Sequence, residues 1–290
     1  MSELFEVHRS PVLTAPVLVV AMEGWIDAGL GAANAVASLT ERPPADELVT
    51  FDCDHFLDLR ARRPIVRIVD GITTGLQWPR TQLRYGHDQA GADVLFLVGP
   101  EPDYHWHDFV GAVVQLALRH GVRLVVGLGA FPAAAPHTRP VRLAATAPPS
   151  SSDLVAQVGI IQGELEVPAG VLSALEIALG EAHIPAVSLW ARVPHYVSAM
   201  PFPMASAALV EGLAAAAGLQ LDSAALRAAG DRARSQVDEM IAGNPEHAAM
   251  VAKLEEVIDS SEGNAMGLEE VPSADELAAE LERFLRGEQH

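Results

Sequence analysis

Four stretches of the chain hold side chains of the kinds that catalyse or coordinate. Asp52, Cys53, Asp54 and His55 place a thiol two residues from an imidazole. On a strand those two side chains share a face, and a Cys and His pair attacks only if the thiol pKa is lowered. A lone cysteine at a strand end reads first as packing, because free cysteine is among the most buried residue types. Asp103, His105, His107 and Asp108 follow Gly99 and Pro100 and are of zinc-binding type. His105 and His107 are two apart, so on a helix they diverge, and no HExxH or paired-cysteine motif accompanies them. A solvated helix start is expected there, its acids complementing the helix dipole, and no metal. Ser150, Ser151, Ser152 and Asp153 follow two prolines and read as a loop and helix cap, with no GxSxG in the chain. Glu164 and Glu166 do acid and base work only if burial raises one pKa. No catalytic residue and no cofactor is assigned.

The elements that must position these residues follow from the apolar pattern. Val17 to Met22, Glu47 to Asp52, Ile65 to Val69, Val94 to Val98, Leu124 to Leu128, Val141 to Ala147 and Ala186 to Val193 are short apolar runs bounded by Gly or Pro. Helical spacing is found in Asp27 to Thr40, Asp103 to His120 and Val171 to Ala182. Such alternation predicts a three-layer α/β sandwich with a mixed, mostly parallel sheet. Thr81 to His87, between Pro79 and Gly86, reads as an extra strand or hairpin arm. After Pro203 every periodic segment is helical. The expected division is a sandwich over residues 1–220 and an acidic helical region over 221–290, with a linker at Ser260 to Pro272. Ser273 and Glu276 form a capping box beyond it.

Further candidates lie where strands end. Gly24 to Gly31 leaves the first strand and opens a helix, the place where open α/β sheets bind ligands and helix N-termini favour anions. Its spacing is neither GxGxxG nor GxxxxGK, and Asp27 at the helix start would cap it and repel an anion. A structural turn is therefore expected, with Trp25 packed on a neighbour; an anion site is the second reading. His137 and Arg139 sit between Pro136 and Pro140, where Arg139 suits an anion or a subunit carboxylate equally. A pocket, if formed, is expected to draw on Gly24, Trp25, Asp27, His105, Gly129, His137, Arg139 and His195. Trp190, Tyr196, Met200, Phe202 and Met204 are of the types enriched in interface cores and are expected to form a contact surface, core packing being the alternative.

Charge narrows the function classes. The 290 residues carry 19 basic and 38 acidic side chains, a net charge of −19, which opposes the phosphate neutralisation that nucleic acids require. Neither nucleic acid nor anionic membrane is an expected partner, and no apolar run approaches the roughly 20 residues that cross a bilayer. One cysteine makes no internal disulfide, and the N-terminus lacks the apolar stretch of a leader, so a cytoplasmic protein is expected. Two readings of function follow. The first is a non-enzymatic oligomer that binds its own copies or another protein. The alternative is a phosphorylase-like or hydrolase-like enzyme, or a ligand-binding protein, for nucleosides or phosphate esters. That alternative needs Arg80, Arg84, Arg139 and Arg192 to converge on one concavity.

Gly24 to Gly29 (GWIDAG), Gly127 to Pro132 and Ile184 to Tyr196 (IPAVSLWARVPHY) resemble the proteasome assembly chaperone two family over roughly residues 10 to 260. The element His137, Thr138, Arg139, Pro140 and the acidic C-terminus are similar to its actinobacterial branch. The resemblance implies an α/β sandwich akin to purine nucleoside phosphorylases and related hydrolases, assembled as trimers or higher oligomers. It also implies kinship with assembly chaperones. None of the shared motifs is catalytic.

Overall fold

The computed structural model describes residues 4–41, 44–161 and 163–263. Its main sheet has eight strands: β1 (Phe5–Val7), β2 (Val17–Glu23), β3 (Asp46–Phe51), β6 (Gln82–His87), β7 (Asp93–Pro100), β8 (Leu124–Ala133), β9 (Leu143–Thr146) and β10 (Ala186–Pro194). They lie in the order β1-β3-β6-β7-β2-β8-β10-β9. The central strands β7, β2, β8 and β10 are parallel, while the flanking pairs β7–β6, β6–β3, β3–β1 and β10–β9 are antiparallel. The expected mixed, mostly parallel sheet between two helical layers is thus present. Thr81 to His87 is indeed a strand, wedged between β3 and β7.

Alternation along each central strand divides the core. Val17, Val19, Val126, Leu128, Val187 and Leu189 face one layer, and Leu18, Val20, Leu95, Leu97 and Val125 face the other. The first layer holds α1 (Gly31–Thr40), α4 (Ser152–Val158) and α6 (Pro203–Ala217); the second holds α3 (Trp106–Arg119) and α5 (Val171–Glu181). On α3 the side chains of Phe109, Val113 and Leu116 are buried, as their helical spacing requires. Phe109 lies between Phe51 and Phe56, with centroids 4.8 and 5.4 Å away.

Helices α7 (Ala224–Ala242) and α8 (Pro245–Gly263) bury Val237, Ile241 and Val251 in the first layer's cluster. Close approach is possible because Gly230 of α7 has no side chain: a Cβ there would lie 2.3 Å from the Met204 sulfur. Of the stripe expected over Ala248 to Ile258, Val251 is buried in that cluster and Met250 packs against it, whereas Val257 is exposed. Part of the expected linker and the capped segment after Ser273 lie outside the described residues.

Two segments depart from the sequence reading. Ile65 to Val69 is a strand, β4, but it pairs only with β5 (Ile72–Gln77), in a two-stranded arm apart from the main sheet. Val69 and Ile72 are joined through Asp70 and Gly71, both at positive φ (49° and 79°), the backbone of a two-residue hairpin turn. Cys53 and His55 do not extend β3. They sit in a helical turn, α2 (Cys53–Phe56), started by Asp52, whose carboxylate accepts from the Asp54 amide at 3.0 Å.

Candidate functional site

Chain crossing at the middle of the sheet sets the first candidate site. From β2 the chain passes to α1 on one face, and from β7 it passes to α3 on the other, so a crevice opens between their carboxyl ends. Gly24 sits in it against the Arg62 guanidinium and the Glu101 side chain. Arg62 donates to Asp103 through Nε (3.1 Å) and a terminal nitrogen (3.3 Å), and Asp103 also accepts from the Asp58 amide at 2.8 Å. Buried Glu101 accepts from the Val171 amide at 2.9 Å, fixing the start of α5.

Aromatic side chains fill the rest of the crevice. Trp25 lies on Gly170, and Trp190 lies so close over Gly129 that a Cβ there would be 2.3 Å from the indole. What remains is a cavity of about 20 Å3 between Met22, Trp25, Glu101, Gly129 and Trp190. A water needs about 10–15 Å3 by that measure, whereas cofactor and drug-sized ligands occupy about 300–1,000 Å3.

Asp27 caps α1 as its position suggests, accepting from the Ala32 and Ala33 amides at 2.8 and 3.0 Å. Burial pushes its pKa up against the pull of those amides. Cys53 has its thiol pushed up by burial and then by Asp54 and Asp52, which suits packing and not attack. Glu164 and Glu166 are exposed. Glu176 of α5, which no local motif marks in the sequence, has a carboxylate that accepts from Ser188 (2.6 Å) and Thr146 (3.0 Å). Burial raises its pKa. A carboxyl whose pKa is raised on folding supports stability below its unfolded pKa, and that support fades as pH climbs through the folded value. Glu176→Gln should therefore flatten the fall in stability from pH 4.5 to 7, read from urea midpoints across that range; parallel curves for the two proteins would contradict it.

His137 and Arg139 belong to a second assembly, clasped by α7 and α8. The Tyr196 hydroxyl accepts from the His137 amide at 2.8 Å and donates to Nδ1 at 2.7 Å. Nε2 is left to donate to Asp238 at 2.9 Å. Burial, the main cause, pushes the Tyr196 hydroxyl up to about 12. Thr138 donates to Glu255. Arg139 grips Asp259 with two nitrogens, at 2.8 and 2.6 Å, and reaches Glu255 at 3.2 Å. Arg139, expected to take an anion or a subunit carboxylate, is paired here with two carboxylates of the chain's own α8. His195 packs edge-on to Tyr196 at 5.3 Å, with a buried Nδ1 that has no partner among the described residues.

The structure therefore brings Gly24, Trp25 and Gly129 together, with Asp27 at the adjoining helix start, and places His137 and Arg139 against the C-terminal helices, with His195 beside Tyr196. His105 stands apart at the head of α3, stacked on His55. The aromatic run after Trp190 is folded inward: Phe202 is buried and Met200, Met204 and Tyr196 pack against the core. The β4–β5 arm carries exposed apolar side chains instead, as do Ile160, Leu165 and Val167 in the segment before α5. Nor do the four arginines converge. Arg80 pairs with Glu47 (3.7 Å), Arg84 donates to the Ala45 carbonyl (2.9 Å), Arg139 is held by α8, and Arg192 is half-buried in β10, where burial and then Arg142 lower its pKa.

Comparison with known proteins then decides the family. Residues 21–241 match the PAC2 family. The chain belongs to it. A Corynebacterium glutamicum protein of unknown function is 32% identical, with a TM-score of 0.83 over 89% of this chain and 97% of its own. A Mycobacterium tuberculosis proteasome-assembly chaperone homologue is 36% identical, with a TM-score of 0.75 over 81% of this chain and 99% of its own. A PAC2 family protein from Streptomyces avermitilis is 33% identical, with a TM-score of 0.71 over 81% and 99%. No curated protein matches the chain.

Proposed function

We propose that this PAC2 family chain is a non-enzymatic protein of the cytoplasm that associates with its own copies, and through them with a protein partner, in the manner of an assembly chaperone of the actinobacterial branch. The observation that carries the reading is the β4–β5 arm. Ile65, Val66, Ile68, Val69, Ile72 and Leu76 are 42–69% exposed there, with Trp78 beside them at 45%. An isolated two-stranded hairpin is marginal in water, and apolar patches with a polar rim mark interaction surfaces.

Charge selects the occupant. Between residues 60 and 80 the chain has five arginines and one aspartate, against a net charge of −19 overall. Those arginines mostly flank the arm: residues 65–77 themselves carry only Arg67 and Asp70 as charged side chains, so an apolar arm without net charge on an acidic molecule escapes the repulsion that acts between two copies elsewhere on their surfaces. The resemblance favours a trimer. The same negative charge disfavours nucleic acid and anionic membranes, and among the described residues no helix is long and apolar enough to cross a membrane. The enzyme alternative rested on four arginines converging on one concavity; Arg80, Arg84 and Arg139 have separate partners, Arg192 is half-buried in β10, and Trp25 and Trp190 line the crevice at the strand ends. Light scattering of the purified chain at micromolar concentration should give a multiple of 30.7 kDa, and a mass equal to one chain would overturn the proposal.

A further inference from the structure

We propose that His55, His105 and Asp108 form a binding site for one divalent transition cation, with Zn2+ the ion that suits them best. The three come from separate places in the fold: His55 from α2, His105 from the residue preceding α3, and Asp108 from the first turn of α3. Their ligating atoms all lie within 4.8 Å of one another. His55 Nε2 is 3.3 Å from Asp108 Oδ2, and His105 Nδ1 is 3.9 Å from the same oxygen.

Those separations are those of a coordination shell before the ion draws it in. Nitrogen and oxygen donors set tetrahedrally about 2.0–2.2 Å from a zinc ion lie about 3.3–3.6 Å apart. The edge from His55 to Asp108 already has that length. His105 and Asp108 are exposed, so side-chain rotation alone closes the remaining edges. Two imidazoles with one carboxylate favour a borderline ion such as Zn2+ over Ca2+ or Mg2+, which take oxygen sets.

His105 is left-handed, at φ 56° and ψ 42°, a conformation that histidine adopts more readily than most residues, and it turns the chain into α3. The His105 ring stacks on His55, with centroids 4.2 Å apart and planes at 16°, so the two in-plane lone pairs run side by side and the exposed His105 ring turns off the stack to meet the ion. His55 in turn is held edge-on to buried Phe56 at 4.7 Å, so one ligand is anchored to the core. Without an ion, Asp108 accepts a hydrogen bond from His55 Nε2, and a bound cation takes the place of that proton. Three protein ligands leave a fourth position for water or for a side chain of a partner.

The test uses the full-length chain without an affinity tag, stripped with chelator and titrated with Zn2+ by calorimetry and with Co2+ by visible absorption. One equivalent should bind, with the intense absorption bands of a tetrahedral cobalt site. His55→Ala and His105→Ala should each weaken binding at least about tenfold, while His107→Ala, a change at the exposed neighbour outside the cluster, should bind like the natural chain. Asp108→Asn serves as the second probe if either histidine variant melts early, since Asp108 is exposed. Absence of saturable binding, or binding undiminished in these variants, would overturn the site. Because the readout is metal binding alone, its failure leaves the self-association reading standing.

Discussion

Replacing Ile68 and Ile72 with aspartate should make the protein monomeric at micromolar concentrations where the natural chain is an oligomer. In the single chain these side chains are 59% and 67% exposed, so the body should melt as before, within the roughly 0.5 kcal/mol typical of surface changes. Side chains alternate along each strand, and Val69 pairs directly with Ile72 while Ile68 pairs with Thr73. The double variant therefore places a charge on each face of the arm. Buried in an interface, each carboxylate would cost several kcal/mol by desolvation, and together they should weaken association by more than about 100-fold. Ile68→Thr with Ile72→Thr keeps β-branched side chains suited to a strand and should weaken association too, which separates loss of apolar contact from loss of the hairpin. Sedimentation of both variants at the natural mass would show that the arm is not the contact.

His137→Ala should destabilise the chain by about 2–4 kcal/mol, because it opens a hole beneath α7 and leaves the half-buried Tyr196 hydroxyl without its imidazole partner. The His137 side chain is 1% exposed and bridges Tyr196 to Asp238 across the joint between the β8 loop and α7. Arg139→Ala should cost less than about 1 kcal/mol despite its two contacts with Asp259, since those partners are 34% and 49% exposed and water replaces much of the attraction. Urea unfolding of the two variants at one pH measures the difference. Equal losses would mean that α7 and α8 are held mainly by their apolar contacts and not through His137.

Much of the fold was legible in the chain because its signals are local. Val17 to Met22 and Leu124 to Leu128 are continuous apolar runs, as strands covered on both faces must be, and Phe109, Val113 and Leu116 carry a helical period. The arm was legible only in half. Ile65 to Val69 has the composition of a strand, but nothing local says which sheet it joins, although Asp70 and Gly71 carry a hairpin signal that went unread. The site residues were harder. Asp27 was readable as a cap because capping is local, and the packing of Trp25 on Gly170 likewise agrees with the expected turn. His55 and His105 are fifty residues apart in sequence, and each segment alone is an ordinary polar turn; only the route of β3 and β7 to one end of the sheet joins them. Trp190 to Met204 was read as a contact surface from composition, which does not distinguish an interface core from a chain's own interior.

The most direct test of the central claim compares hydrogen exchange of the natural chain at concentrations above and below its dissociation. The account predicts that amides of residues 65–77 exchange more slowly in the oligomer, while those lining the crevice at Met22 to Ile26 are unchanged. Equal exchange of the arm at both concentrations, or slowing confined to the crevice, would contradict it.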